Sequence, residues 1–283
     1  MLTLKSQAGQ RPAVADDGWR IPDDLWRRIE PLLPPRPRHP LGCHNPRVPD
    51  RAAMDAIVFV LRTGCQWNAL NATGICTSSS AHRRFQEWAR AGVFAAFWRE
   101  GLLAYDGLVG IDWTWLSLDG AQGQAPLGGG KTGPNPTGRG KRGCKRSVLT
   151  DGRGVRLGLV IAGANVNDHL LLRETLAAIP VPRPDPSARD PQHLCLDKGY
   201  DYTGPRETAA EYGFELHLRR RGEEIVETRE LGKRARRWVV ERCHSWFNRF
   251  RALLIRWSKK PQNALALLHV AAAVIAWRHL LVG

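Results

Sequence analysis

A change of hydrophobic period divides this chain of 283 residues near Leu108. Before it, apolar residues recur at helical spacing. Beyond it, they alternate or gather in short runs bounded by Gly, Pro and Asp. No single layer of helices or sheet accommodates both patterns, so the chain must pack helices against a sheet.

The first part reads as helices. Residues 1–18 form a loose tail. Asp23 to Leu33 carries Leu25, Trp26, Ile29 and Leu32 on one face, with Pro31 set to end it early. A helix from Asp50 to Thr63 is capped by Asp50 and stopped by Gly64. After a loop, Thr77 to Ser80 offer N-caps to a helix carrying His82, Arg83 and Arg84 beside Phe85 and Trp88. Phe94 to Ala104 follows. Helix, turn and a basic, aromatic helix resemble a helix-turn-helix DNA reader; a plain bundle with a solvated basic face fits the same residues.

In the second part, Ile111 to Leu118 reads as a strand running into Asp119-Gly120. Gly123 to Gly143 is a basic, flexible loop rich in Gly, Pro, Lys and Arg. Arg146 to Thr150 and Val155 to Ala162 form a hairpin about Asp151-Gly152. Asn167-Asp168 suit the cap of a helix from His169 to Ile179. Leu194 to Leu196 is a short strand ending at Asp197, Thr203 to Tyr212 is helical, and Phe214 to Leu218 is another strand. A long helix runs from about Lys233 to Ser258, and Gln262 to Leu281 is the last. The apolar tract Ala264 to Trp277 is too short to span a bilayer and reads as a buried terminal helix. The fold class is α/β, with domains expected at 19–107 (helical, DNA-binding) and 108–283 (catalytic).

Lys and Arg number 42 against 27 Asp and Glu, a formal charge of +15. Such a surface calls for a polyanionic partner and disfavours an enzyme of small neutral substrates. The six cysteines are scattered without a C-x-x-C pair, so a zinc finger is unsupported. No apolar leader opens the chain, and the thiols read as reduced and cytoplasmic. Ala125 to Thr132 mimics a phosphate loop, but Gly133, Pro134 and Pro136 prevent the helix such a loop must open.

Three acids stand apart. Asp119 and Asp197 follow strand runs, and Glu241 is the sole acid between Lys233 and Lys260. On a helix, Val239, Cys243, Phe247, Phe250, Leu254 and Trp257 share one side, while Arg234, Arg237, Glu241, Asn248, Arg249 and Arg256 lie opposite. Singly, these acids suit turns or a surface ion pair. Together, carboxylates among arginines are what metal-dependent cutting of a phosphodiester needs. Oxygen ligands suit Mg²⁺.

The motifs Ser117-Leu-Asp119-Gly, Thr132-Gly-Pro-Asn-Pro-Thr, Arg139-Gly-Lys-Arg-Gly, Lys145-Arg-Ser, Gly163-Ala-Asn-Val-Asn-Asp168, Leu196-Asp197-Lys-Gly-Tyr-Asp201, Trp238-Val-Val-Glu241 and Asn263-Ala-Leu-Ala-Leu-Leu-His-Val come in a specific order and spacing. From Trp19 to Arg278 the chain resembles DDE transposases of bacterial insertion sequences, in the fourth/fifth insertion-sequence group. The resemblance implies a ribonuclease H-like catalytic domain, a mixed central sheet flanked by helices, preceded by an all-α, helix-turn-helix-like domain. It implies that Asp119 on the first strand, Asp197 after the fourth and Glu241 on the long helix bind two Mg²⁺, with Mn²⁺ a possible substitute. In the family's signature around the glutamate, Arg237 matches the Arg, Arg234 replaces the Tyr, and Asn248 stands for the Lys, with Arg249 beside it.

The resulting expectation is a cytoplasmic transposase that cuts and joins double-stranded DNA. It would bind terminal inverted repeats through residues 19–105, including His82, Arg83 and Arg84, and hold phosphates with Lys131, Lys141, Arg237, Arg242 and Arg249. A homodimer would handle two ends, and no membrane is involved. A catalytically silent DNA-binding repressor is the alternative; a phosphate-loop ATPase is the third reading.

Overall fold

The computed structural model describes residues 18–35, 47–218 and 238–281. Helix α1 (Asp23–Ile29) yields at Pro31 to a 3₁₀ turn. Helix α2 (Asp50–Thr63) closes on Gly64, whose φ of 68° gives the left-handed cap that glycine tolerates best. The N-cap position of α2 is taken by Pro49, and Asp50 is the first residue of the helix. Its carboxylate faces Arg84 at 3.5 Å and Arg47 at 3.7 Å. Helices α3 (Ser78–Arg90) and α4 (Val93–Leu108) complete the N-terminal region.

The sheet is built on β1 (Trp115–Gln124). Next come the two-residue β2 (Gly133–Pro134), then β3 (Arg142–Thr150) and β4 (Arg156–Gly163), the expected hairpin. Helix α5 (Leu172–Ala177) follows a 3₁₀ turn, then β5 (Gln192–Leu196), α6 (Thr203–Glu211) and β6 (Phe214–Leu218). The main order is β4-β3-β1-β5-β6, antiparallel from β4 to β1 and parallel from β1 to β6. This is the expected mixed sheet flanked by helices.

Strand β1 corrects one expectation: Asp119 is not at a strand end. β1 pairs in parallel with β5 only over Trp115–Ser117, then continues antiparallel to β3 from Ser117 to Gln124. Asp119 therefore lies inside the strand, just past the point where β5 leaves its edge.

Helix α7 (Trp238–Asn248) carries Glu241 and ends before the expected Ser258; the expected start at residues 233–237 lies outside the described residues. Phe250, at φ −91° and ψ 93°, turns the chain into a 3₁₀ turn over Arg251–Leu253. The next segment lies along β1, where Ile255 bridges Gln124 and the Arg256 N–H donates to Gln124 O at 2.8 Å. Leu254 and Trp257, expected on the buried face, are 45% and 53% exposed. Arg256, expected on the outer face, is buried, with its guanidinium donating to the carbonyls of Gly130 (2.7 Å), Lys131 (3.0 Å) and Ser258 (2.9 Å). The glycine-rich loop is thus pinned to the C-terminal segment.

Helix α8 (Pro261–Leu281) is buried from Val270 to Trp277. It packs on α4: Phe97 stacks on Trp277 with centroids 6.2 Å apart, Trp98 stacks on His269 at 5.2 Å, and Gly101 gives Trp277 room. One hydrophobic core joins α4, the sheet and α8. No described helix is long and apolar enough to cross a membrane.

Two outcomes follow from this packing. Arg256→Ala strips the bonds that hold Gly130 and Lys131; stability falls by about 1–3 kcal/mol in urea unfolding, and trypsin gains access at Lys131 and Lys141. Burial also pushes the His269 imidazole down to about 4. The unfolded chain takes up that proton near pH 6.5 and the folded one only near 4, so native stability is lost as pH falls between those values. His269→Phe removes this acid sensitivity: between pH 7 and pH 5 it loses roughly 1–2 kcal/mol less than the wild type.

Candidate active site

The register of the sheet sets the acids. Ser117 pairs with Cys195 in the last pair of the parallel β1–β5 ladder, and strand alternation carried two residues further puts Asp119 and Asp197 toward the same face. Adjacent strands lie about 4.8 Å apart. Because β5 ends at Leu196, β1 runs on past its parallel partner at Asp119, at the carboxyl end of β5, where ligands of such sheets usually bind. Asp197 Oδ1 accepts the Gly199 N–H at 2.7 Å, which fixes the turn. Asp119 Oδ1 accepts the Gly120 N–H at 2.8 Å.

Helix α7 carries Glu241 and lies against the sheet. Two arginines hold the helix on the hairpin: buried Arg156 donates to Cys243 O at 3.0 Å, and half-buried Arg146 bonds Asn248 Oδ1 at 2.7 Å. The Cys243 thiol donates to Gly154 O at 3.0 Å. Desolvation is the main reason both guanidiniums fall to about 10, still charged at neutral pH. Thus anchored, α7 sets His244 Nε2 3.7 Å from Asp119 Oδ2. Exposed Glu241 lies three residues earlier, about 60° around the helix from His244. Burial first, then Arg146 and Arg156, push the His244 imidazole down to about 3, so it is neutral.

Sequence reasoning missed the support beneath the acids. Asp168 does not cap a helix. Its Oδ2 accepts from Lys145 Nζ at 2.8 Å, and the same ammonium donates to Val166 O at 2.7 Å. Lys145 is 3% exposed, so Asp168 neutralises a buried charge. Asp168 Oδ1 presses on Gly120 so closely that a Cβ there would lie 1.9 Å away. Tyr200 is buried near Asp168, Asp119 and Asp197. Burial raises its hydroxyl well above the usual range, and the three acids add to the rise. The Tyr200 hydroxyl, Asp168 Oδ1 and both nitrogens of His244 have no hydrogen-bond partner among the described residues. A buried lysine facing a carboxylate is the signal that would have identified Asp168.

A cleft of about 880 Å³ extends from His244 to α3, lined by His82, Gln122, Arg146, Asn248, Trp257 and Lys260 among others. His82 packs on Trp67 with ring centroids 4.9 Å apart. Arg83, Lys141 and Arg249 are exposed, and Lys131 forms a surface pair with Glu174 at 2.9 Å. Two arginines face inward instead. Arg84 is buried, with Asp50 at 3.5 Å and Glu87 at 2.6 Å. Arg242 donates to Arg153 O at 3.1 Å and lies 5.0 Å from the Trp246 ring centroid. Arg237 lies outside the described residues.

The carboxylate donor set fits hard divalent cations, which take oxygen ligands. Asp112 and Asp151 belong elsewhere: buried Asp151 accepts the N–H groups of Val155, Arg153 and Asp112 in the hairpin turn.

Two family models match the chain. One, described as a transposase DDE domain, matches residues 106–276. The other, described as a putative transposase of the IS4/5 family, matches residues 21–98. The chain is 38% identical over 153 residues to the putative transposase for insertion sequence element IS402 of Burkholderia cepacia, covering 53% of this chain and 70% of that protein. It is 36% identical over 118 residues to the uncharacterized 16.2 kDa protein of insertion element IS402 from the same organism, covering 41% and 80%. Among solved structures, the Mos1 strand transfer complex is similar at a TM-score of 0.28 and 11% identity, covering 86% of this chain and 81% of that one.

Gly120→Ala forces Asp168 off its position against Lys145. The expected cost is about 2–4 kcal/mol in thermal or urea unfolding. Asp168→Asn breaks the same ion pair, so the double variant costs clearly less than the sum of the two single changes.

Proposed function

We propose, for a chain that belongs to the DDE transposases of the IS4/5 type, that Asp119, Asp197 and Glu241 hold the divalent cations on which its strand cleavage and strand transfer depend. The family uses divalent metal; the all-carboxylate set favours Mg²⁺, with Mn²⁺ as a substitute. Bound there, such cations neutralise charge on a phosphodiester undergoing in-line displacement. What supports the assignment is the parallel pair Ser117–Cys195, two residues before both Asp119 and Asp197, together with His244 of α7 at 3.7 Å from Asp119.

The chain's own residues divide the remaining work. Neutral His244 sits beside Asp119 without adding a second positive charge. Lys145 and Asp168 hold the backbone at Gly120, which limits the drift of Asp119. Exposed Arg83, Lys131, Lys141 and Arg249 bind phosphates of double-stranded DNA, where cationic side chains supply most of the affinity. The residue 19–107 region reads terminal inverted repeats, and the cleft from His82 to His244 leads the DNA end toward the acids. Residues 108–283 form the catalytic part. Two ends are processed by a homodimer.

The test is cleavage and joining of end-bearing DNA by Asp119→Asn, Asp197→Asn and Glu241→Gln. Each change is expected to lower the rate by about three orders of magnitude or more, the scale seen when one member of a cooperating set is removed. Salt-sensitive DNA binding persists. Wild-type rates in these variants would refute the assignment; end binding by the wild type without a metal-dependent product would identify a silent repressor.

A further inference from the structure

The parallel edge of the sheet carries a second set of ligand-type side chains. Register places His193 opposite Glu215, and Cys195 opposite His217, with Trp115 opposite His193 on the other side. Strand alternation therefore puts Trp115, His193, Glu215 and His217 on one face. His193 Nδ1 lies 3.0 Å from His217 Nε2 and 3.1 Å from Glu215 Oε2. One ligand atom from each of the three residues falls within 4.8 Å of the other two. The Trp115 ring stacks on His193 with centroids 4.1 Å apart and lies 5.0 Å from His217, which limits both imidazoles to few orientations.

These separations match a shared ion. Two nitrogens bound tetrahedrally at about 2.0–2.1 Å from one metal are about 3.3–3.4 Å apart. The observed contacts need to open by only a few tenths of an ångström. Two imidazoles and a carboxylate suit zinc and late first-row metals, whereas the Asp119–Asp197–Glu241 set is all oxygen. The Glu215 side chain is 63% exposed, so the ion could enter from solvent on that side.

We propose that His193, Glu215 and His217 bind one zinc-type ion that clamps edge strand β6 to β5. His193 precedes Asp197 by four residues on one strand path, about 13 Å. The clamp is therefore separate from the cleavage centre but steadies the strand that delivers one of its acids.

The test uses the untagged full-length protein, titrated with Co²⁺ and followed by the visible absorption of the tetrahedral ion, then with Zn²⁺ in competition. The wild type takes up one equivalent with that absorption, and Zn²⁺ displaces it. His193→Ala and His217→Ala abolish the signal, and Glu215→Gln weakens binding about tenfold or more. Asp119→Asn retains the signal. The Glu215 side chain is mostly exposed, so this variant folds and decides the matter if the histidine variants do not. Zn²⁺ raises the melting temperature of the wild type and not of Glu215→Gln. The proposal is overturned if the tetrahedral signal survives in Glu215→Gln and both histidine variants with unchanged affinity. It is also overturned if the wild type shows no saturable binding, in which case the two imidazoles share a proton instead.

Discussion

Strand β1 is paired twice over its length, and the site depends on that. Its first three residues belong to the parallel ladder with β5, and residues from Ser117 onward belong to the antiparallel ladder with β3. By Asp119, β1 has run on past its parallel partner. The parallel half turns Asp197 toward the same face as Asp119, and the antiparallel half forms the floor on which α7 lies. A one-residue slip of β5 would turn Asp197 to the opposite face. The acids are thus positioned by backbone hydrogen bonds before any ligand arrives.

The strong positive charge divides into two populations. Arg84, Arg156 and Arg256 are buried and Arg146 half-buried, and they bond carbonyls, carboxylates or a side-chain amide. Arg156 lies 4.8 Å from the Trp246 ring centroid and 5.0 Å from that of Phe247, where its planar cation can stack. Burial keeps His244 neutral, with Arg146 and Arg156 adding to the effect, and those two arginines hold α7 over the sheet. Arg83, Lys131, Lys141 and Arg249, by contrast, are exposed. Net charge in such a protein overstates its nucleic-acid surface, because part of it serves as internal fastening.

Much of this was legible in the sequence. The switch in period located the sheet, Asp151-Gly152 gave the hairpin, and Gly64 gave the end of α2. What escaped detection was set by long-range contacts. Nothing in residues 238–258 is a helix breaker, yet the chain leaves the helix at Phe250 because the following segment pairs with β1 and Arg256 finds carbonyls in a distant loop. Helical projection put Arg256 on the outer face, and Arg84 and Arg242 were expected to contact DNA; their partners Gly130, Asp50 and Arg153 are distant in sequence. Asp168 looked like a cap because the Asn-Asp pair has that local preference, while Lys145, 23 residues earlier, decides its role. His193 and His217 lie on separate strands, and only the β5–β6 register unites them.

The seating of α4 on α8 bears on how the chain emerges from the ribosome. Phe97 and Trp98 meet Trp277 and His269, partners synthesised some 170 to 180 residues later. At bacterial-scale elongation of about 5–20 residues per second, these aromatics wait roughly ten to forty seconds for their cover. The N-terminal helices therefore gain their final packing only when helix α8 arrives, and a chain cut short before it leaves the Phe97 and Trp98 rings without that cover.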